Sequence, residues 1–226
     1  MLRNMDITEL KKKKVSELYD IAKVLDWNFD APPFFLASEY TEGGSLADWA
    51  QAVGGIGVVA LETRLELVAQ VAEALAAAHS VGVLHKDVKP RNVLVAEDQD
   101  GNPKARLTDF GVALVRDRSV LLGRDFTVTG FTGATADGDR GGSGTRLYAA
   151  PEVLEGRTPT TLADIYALGV MLYQVVVGDL ERALAPGWER DVAEDLLRED
   201  IGLCVEGRPE RRLQNAVLLA ERLRGL

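Results

Sequence analysis

Cysteine is almost missing from this chain of 226 residues, in which Cys204 stands alone. One thiol closes no intramolecular disulfide and builds no thiolate metal cage, and a reducing compartment, the cytoplasm, is the natural reading. Histidine is nearly as scarce: neither His79 nor His85 has a ligand partner at i+3 or i+4, so no zinc-binding helix pattern is present. Long apolar runs are lacking too. The longest, residues 168–177, is interrupted by Gly169 and Gln174 and is too short to span a bilayer, while the charged stretch Met1 to Asp6 has no apolar signal core. Positive charge is in deficit, with 26 basic against 35 acidic residues and a formal net charge of -9. That balance disfavours nucleic acid and anionic membrane as partners, and the lysine run 11–14 reads as a solvated helix face. No G-x-G-x-x-G spacing occurs anywhere, and Gly54-Gly55-Ile56-Gly57 reads as a loop.

What remains is a globular composition, 46% hydrophobic, long enough to bury roughly 70% of the surface of its unfolded form. Residues 5–25 read as a helix and a following strand, and after the turn Asp30 to Pro33 a buried strand is expected over Phe34 to Ala37. Ser45 is placed to cap a short helix ending at Ala52. Leu61, Leu65, Val68, Ala72 and Leu75 recur at helical spacing and predict a long amphipathic helix through His79. A turn over Asp98 to Pro103 separates two short strands, and residues 117–144 form a long Gly-, Thr- and Asp-rich loop. Thr161 to Asp164 resembles a capping box opening a nearly all-apolar, central helix that stops at Gly178. Two more helices are expected over Val192 to Cys204 and Leu213 to Leu223.

The stretch Val81 to Val95 organises the chain. Val83-Leu84 and Val93 to Val95 are β-prone, and between them His85 to Asn92 holds Pro90 and polar groups that cannot continue a strand. A carboxylate at Asp87, an ammonium at Lys89 and an amide at Asn92 suit phosphoryl transfer. The first positions a hydroxyl, the second neutralises phosphate and the third offers a metal ion a hard oxygen.

These residues, His85 to Asn92, resemble the catalytic loop H-R-D-L-K-x-x-N of eukaryotic-type serine/threonine protein kinases, in a bacterial-like form. Other landmarks of that family follow in order. Asp109-Phe110-Gly111 is similar to its DFG motif, Gly144 to Glu152 to the end of its activation segment, and Asp164 to Gly169 to the start of its central helix. Pro209 to Arg212 looks like the late element whose arginine pairs with the APE glutamate, here Glu152. The resemblance implies catalytic roles for Asp87, Lys89, Asn92 and Thr145, Mg²⁺ held by Asn92 and Asp109, and ATP bound with the backbone of Glu39 and Thr41 against the adenine and Leu94 beneath it. It makes Asp164 an acceptor for catalytic-loop amides, while His85, with no ligand partner, reads as a core packing residue.

The implied fold is α+β and two-lobed, with a residual, truncated N-lobe and hinge over 1–41 and a mostly helical C-lobe over 42–226. The family's glycine-rich loop and strand-borne Val-Ala-x-Lys find no match, and Lys86 replaces the usual arginine. The expected activity is transfer of the ATP γ-phosphoryl group to Ser or Thr of a protein substrate, with self-association possible through an exposed N-lobe edge. The alternatives are a truncated or pseudokinase C-lobe that binds a partner without chemistry, and, more remotely, a small-molecule kinase of the same superfold.

Overall fold

Two β-prone runs pair early in the chain. Strands β1 (Val24–Asn28) and β2 (Phe35–Ser38) form an antiparallel two-stranded sheet with a register shift between Val24 and Asp26. The computed structural model describes residues 24–28, 35–38, 43–109 and 146–226. The expected helix before residue 24, the hinge positions Glu39 and Thr41, the loop 117–144 and Thr145 lie outside the described residues.

Helix α1 (Leu46–Ala52) begins as its sequence dictates. The Ser45 hydroxyl accepts from the Asp48 amide at 3.2 Å, and the Asp48 carboxylate accepts from the Ser45 amide at 3.0 Å, so two donors of the first turn are satisfied reciprocally. Helix α2 (Leu61–Ser80) buries Leu65, Val68, Ala72 and Leu75 of the expected stripe and leaves Leu61, at its start, half-buried. Val83-Leu84, expected as β-prone, forms no strand. Val83 instead turns back, donating its amide to the Ala78 carbonyl at 2.9 Å, after Gly82 has reversed the chain at φ 73°.

Strands β3 (Val93–Glu97) and β4 (Pro103–Leu107) pair antiparallel, with Val93, Val95 and Leu107 buried. Asp98 holds their turn, its Oδ1 accepting from the amides of Asp100 at 3.0 Å and Asn102 at 2.9 Å.

The remaining α-helices of the described residues are α3 (Pro151–Leu154), α4 (Thr161–Val177), α5 (Asp195–Val205) and α6 (Ala216–Arg224). Helix α4 is buried on almost every side and ends at Gly178, which is left-handed at φ 85°. Its start corrects the sequence reading: Thr160, one residue earlier than expected, caps it by accepting from the Leu162 amide, which frees Asp164 to face the interior. Arg64 reaches from α2 to the other end, where Nη1 donates to the carbonyls of Val175 at 2.6 Å and Val176 at 3.2 Å. A cation on those last carbonyls also complements the helix dipole. The next two helices begin three residues later than expected. The chain from Trp188 to Asp191 is a 3₁₀ turn, and Asn215 rather than Leu213 opens α6, accepting from the Val217 amide.

Helix α2 packs against α4 and α6, and α4 packs against α5. The last contact is close because of Gly169, where a Cβ would overlap the Cβ of Cys204 and lie 2.9 Å from Val205 Cγ1. The chain between α2 and β3 is thereby stretched over the buried start of α4. No helix of the described residues is long and apolar enough to cross a membrane.

Candidate active site

Asp164, on the first turn of α4, is 2% exposed and carries its carboxylate directly under the loop 85–92. Oδ2 accepts from the His85 amide at 2.8 Å and Oδ1 from the Lys86 amide at 2.7 Å. A third contact comes from α2, where His79 Nε2 lies 2.8 Å from Oδ2. A buried carboxylate is costly without partners, and these three groups compensate it. Holding two successive amides also helps impose the backbone of Lys86, which sits at φ 70°, a left-handed conformation that non-glycine residues rarely adopt.

The His85 ring is buried between two backbone groups. Its Nε2 lies 2.6 Å from the Thr108 carbonyl, to which it donates, and its Nδ1 accepts from the Asp87 amide at 3.2 Å. Those partners require the neutral ring with its proton on Nε2, and burial pushes the imidazole below its usual range in the same sense. His85 therefore joins the loop to the end of β4 while helping to hold the backbone of Asp87.

Asp87 presents a carboxylate in a fixed setting. Its Oδ2 lies 2.7 Å from Lys89 Nζ and accepts from Asn92 Nδ2 at 2.9 Å. The same Nδ2 also donates to the Asp87 carbonyl at 2.7 Å. With its nitrogen committed, the Asn92 amide has Oδ1 to offer a cation. The 3₁₀ turn Pro90–Asn92 and the bonds from Thr108 N and Oγ1 to the Asn92 carbonyl, at 2.9 and 3.2 Å, tie this residue to the end of β4. Asp109 follows at once, exposed and left-handed at φ 66°. Leu94 is half-buried on β3, bridged to Ser45 across the start of α1.

The chemistry of this donor set suits Mg²⁺. Among the described residues, no three His, Cys, Asp or Glu side chains converge as a metal cage. A carboxylate at Asp109 and an amide oxygen at Asn92 are hard oxygen donors of the kind and number that fit Mg²⁺, which takes its remaining ligands from phosphate and water.

A second charged joint lies at α3. The fully buried Arg212 guanidinium donates to both oxygens of Glu152, at 2.8 and 3.1 Å, and to the Leu162 carbonyl at 2.6 Å. Burial alone would raise the Glu152 carboxyl, but the Arg212 fork outweighs it and holds the group below its ordinary value.

The protein kinase domain family matches residues 3–183, most of the chain. The chain belongs to the protein kinase domain family. It is similar to serine/threonine-protein kinase PkaA of Streptomyces coelicolor, 34% identical over 159 residues, which is 70% of this chain and 26% of that protein. PkaB of the same organism is 41% identical over 124 residues, 53% of this chain and 26% of the relative. The chain thus spans about a quarter of the length of these relatives. The Mycobacterium tuberculosis PknI kinase domain, a solved structure, shares the fold with a TM-score of 0.64 at 22% identity, over 91% of this chain and 71% of that one.

In this kinase domain Asp87, Lys89 and Asn92 are brought together by direct contacts, and Asp109 is attached to them through Thr108. The Asp164 contacts with the loop amides and the Glu152–Arg212 pair are as the sequence predicts. Two participants carried no sequence signal. His79 reads as a helix-end histidine, and its partner Asp164 is 85 residues away. Tyr148 donates to the buried Gln174 at 2.8 Å, and burial pushes its phenol up to about 12, which keeps that donor protonated.

Proposed function

We propose that this protein kinase domain transfers the terminal phosphoryl group of ATP to a serine or threonine hydroxyl of a protein substrate. The observation that supports this most strongly is the Asp87 carboxylate, shared between the Lys89 ammonium and the Asn92 amide on a loop anchored to a buried helix. In this reading Asp87 orients the acceptor hydroxyl and takes its proton, and Lys89 stands where negative charge accumulates on the transferring group. Asn92 Oδ1 and the Asp109 carboxylate are the oxygens that would hold Mg²⁺. Bound there, the ion neutralises phosphate charge. Leu94 contributes the floor of an apolar slot for adenine. Glu39, Thr41 and Thr145 keep the nucleotide and acceptor roles that the family implies, and a residual N-lobe over 1–41 against a C-lobe over 42–226 belongs to the same proposal.

Asp87→Asn keeps the shape of the side chain and removes the base. Phosphoryl transfer to Ser/Thr peptides should fall by about 10²- to 10⁴-fold, while Mg-ATP binding by calorimetry remains measurable. Undiminished transfer in the variant would overturn the role of Asp87. Peptide binding by the wild type without nucleotide binding at millimolar concentration would favour a non-catalytic partner-binding domain.

A further inference from the structure

The net charge of -9 hides a local reversal beside Asp87. Residues 85–92 carry Lys86, Lys89 and Arg91 against Asp87 as their sole acid. Lys89 is engaged with Asp87. Arg91 is exposed and, among the described residues, makes no hydrogen bond or ion pair. Exposed arginines elsewhere, such as Arg157, Arg182 and Arg224, are paired with carboxylates. Arg190, Arg208 and Arg211 are not, and what separates Arg91 from them is its place.

Arg91 lies in the middle of the 3₁₀ turn whose flanking residues, Pro90 and Asn92, are buried, and that turn packs against α1. Its positive charge is a minor influence lowering both the Asp48 carboxyl on α1 and the Tyr148 phenol on the chain leading into α3, whose main causes are the Ser45 hydrogen bond and burial respectively. Tyr148, Ala149 and Ala150 share a small pocket of about 50 Å³ with Lys86 and Asp87, and Arg91 follows Asp87 by four residues on the same loop. Asp48 is already committed, since it accepts from Ser45 N at 3.0 Å and Ser45 Oγ at 2.6 Å and forms no ion pair with Arg91. Arg146, two residues before Tyr148, is likewise exposed, and its side chain makes no hydrogen bond or ion pair among the described residues.

We infer that this protein selects protein substrates with an aspartate or glutamate close to the acceptor hydroxyl, with Arg91 as the specificity-determining residue and Arg146 in support. The inference rests on the phosphoryl-transfer reading and adds the chemistry of the substrate to it. A guanidinium presents a planar fork that matches a carboxylate, and Arg91 would give up no partner among the described residues on binding one. Because the site is exposed, salt weakens the preference.

The test compares Thr peptides flanked by Asp and Glu with their Asn and Gln isosteres, using the whole chain at low ionic strength. The wild type should favour the acidic peptide about tenfold in kcat/KM, the scale of one charge-assisted contact. The ratio should fall towards one in Arg91→Gln and turn in favour of Lys-flanked peptides in Arg91→Glu, with Arg190→Gln as a control that keeps the wild-type preference. Equal rates for both peptides in the wild type would overturn the inference and leave the transfer reading intact. An acid preference that survives in Arg91→Gln, or is lost equally in Arg190→Gln, would overturn the role of Arg91. If no peptide is phosphorylated, the transfer reading fails by itself. Fluorescence anisotropy of the same peptides then decides the recognition: tighter binding of the acidic peptide, lost in Arg91→Gln, supports it, and equal binding rejects it.

Discussion

Arg212 shows how much a single side chain can be asked to join. Its guanidinium, fully buried, meets Glu152 through two bonds and closes the Leu162 carbonyl at the start of α4, so one residue fastens α3, α4 and the chain before α6. Removing only one partner leaves a charge in the interior without compensation. Arg212→Met should therefore destabilise the protein by about 3–5 kcal/mol, read from urea unfolding. The double variant that also carries Glu152→Gln should recover part of that loss, because the orphaned carboxylate is gone. A single variant within 0.5 kcal/mol of wild type, the usual range for surface positions, would show that the pair is not buried in solution. Legibility at this scale followed sequence distance and chemical type. Ser45 and Asp48 are three residues apart and declare themselves as a cap, and the family motif named Asp164, Glu152 and Arg212. His79, Arg64 and Gln174 were silent, since a histidine, an arginine or a glutamine on a helix acquires meaning only when distant chain is folded against it.

The helices were legible where burial was asymmetric. The stripe of α2 fixed its length to within a residue, and glycine at the left-handed position fixed the end of α4. Their starts were less legible: Thr160 and Thr161 are both good caps by composition, and the inward turn of Asp164 chose between them. Val83-Leu84 failed as a strand for a related reason. A β-prone pair needs a neighbouring strand, and here the chain folds back on α2 instead. The approach of α4 to α5 depends on an atom that is missing. Gly169→Ala would drive a methyl group into Cys204 and Val205, at a cost of about 1–3 kcal/mol, although alanine is the better helix former. Thermal unfolding would measure it, and a variant as stable as wild type or more so would mean that α5 shifts freely away from α4.

For the molecule as a whole, the titration of buried groups sets how stability responds to acid. Burial holds the folded His85 imidazole below its ordinary value, 6.5, so as pH falls the unfolded chain binds this proton first. Stability conferred by neutral His85 is complete above about 6.5 and is lost as pH falls from there through the lower folded value. Glu152, also depressed, adds a loss further into acid, below its ordinary 4.5. Asp200 has the opposite sign: burial raises it against the pull of Arg222, so its protonation in the folded state recovers some stability as pH falls. The expected result is a urea midpoint that declines between pH 7.5 and 5.5, with the decline flattened in His85→Gln. A wild-type midpoint independent of pH over that range would rule out the neutral, buried imidazole.

The Asp164 carboxylate carries one more consequence, in the time domain of hydrogen exchange. Loop amides usually exchange readily because local opening is easy, whereas amides in a buried helix wait for much larger unfolding. The amides of His85 and Lys86 end on a carboxylate that belongs to α4, so freeing them means detaching the loop from a helix buried on almost every side. They should exchange as slowly as the interior amides of α4, orders of magnitude more slowly than the surface turn at Asp100. By shape these two residues are loop; by the clock of exchange they would be counted with the core.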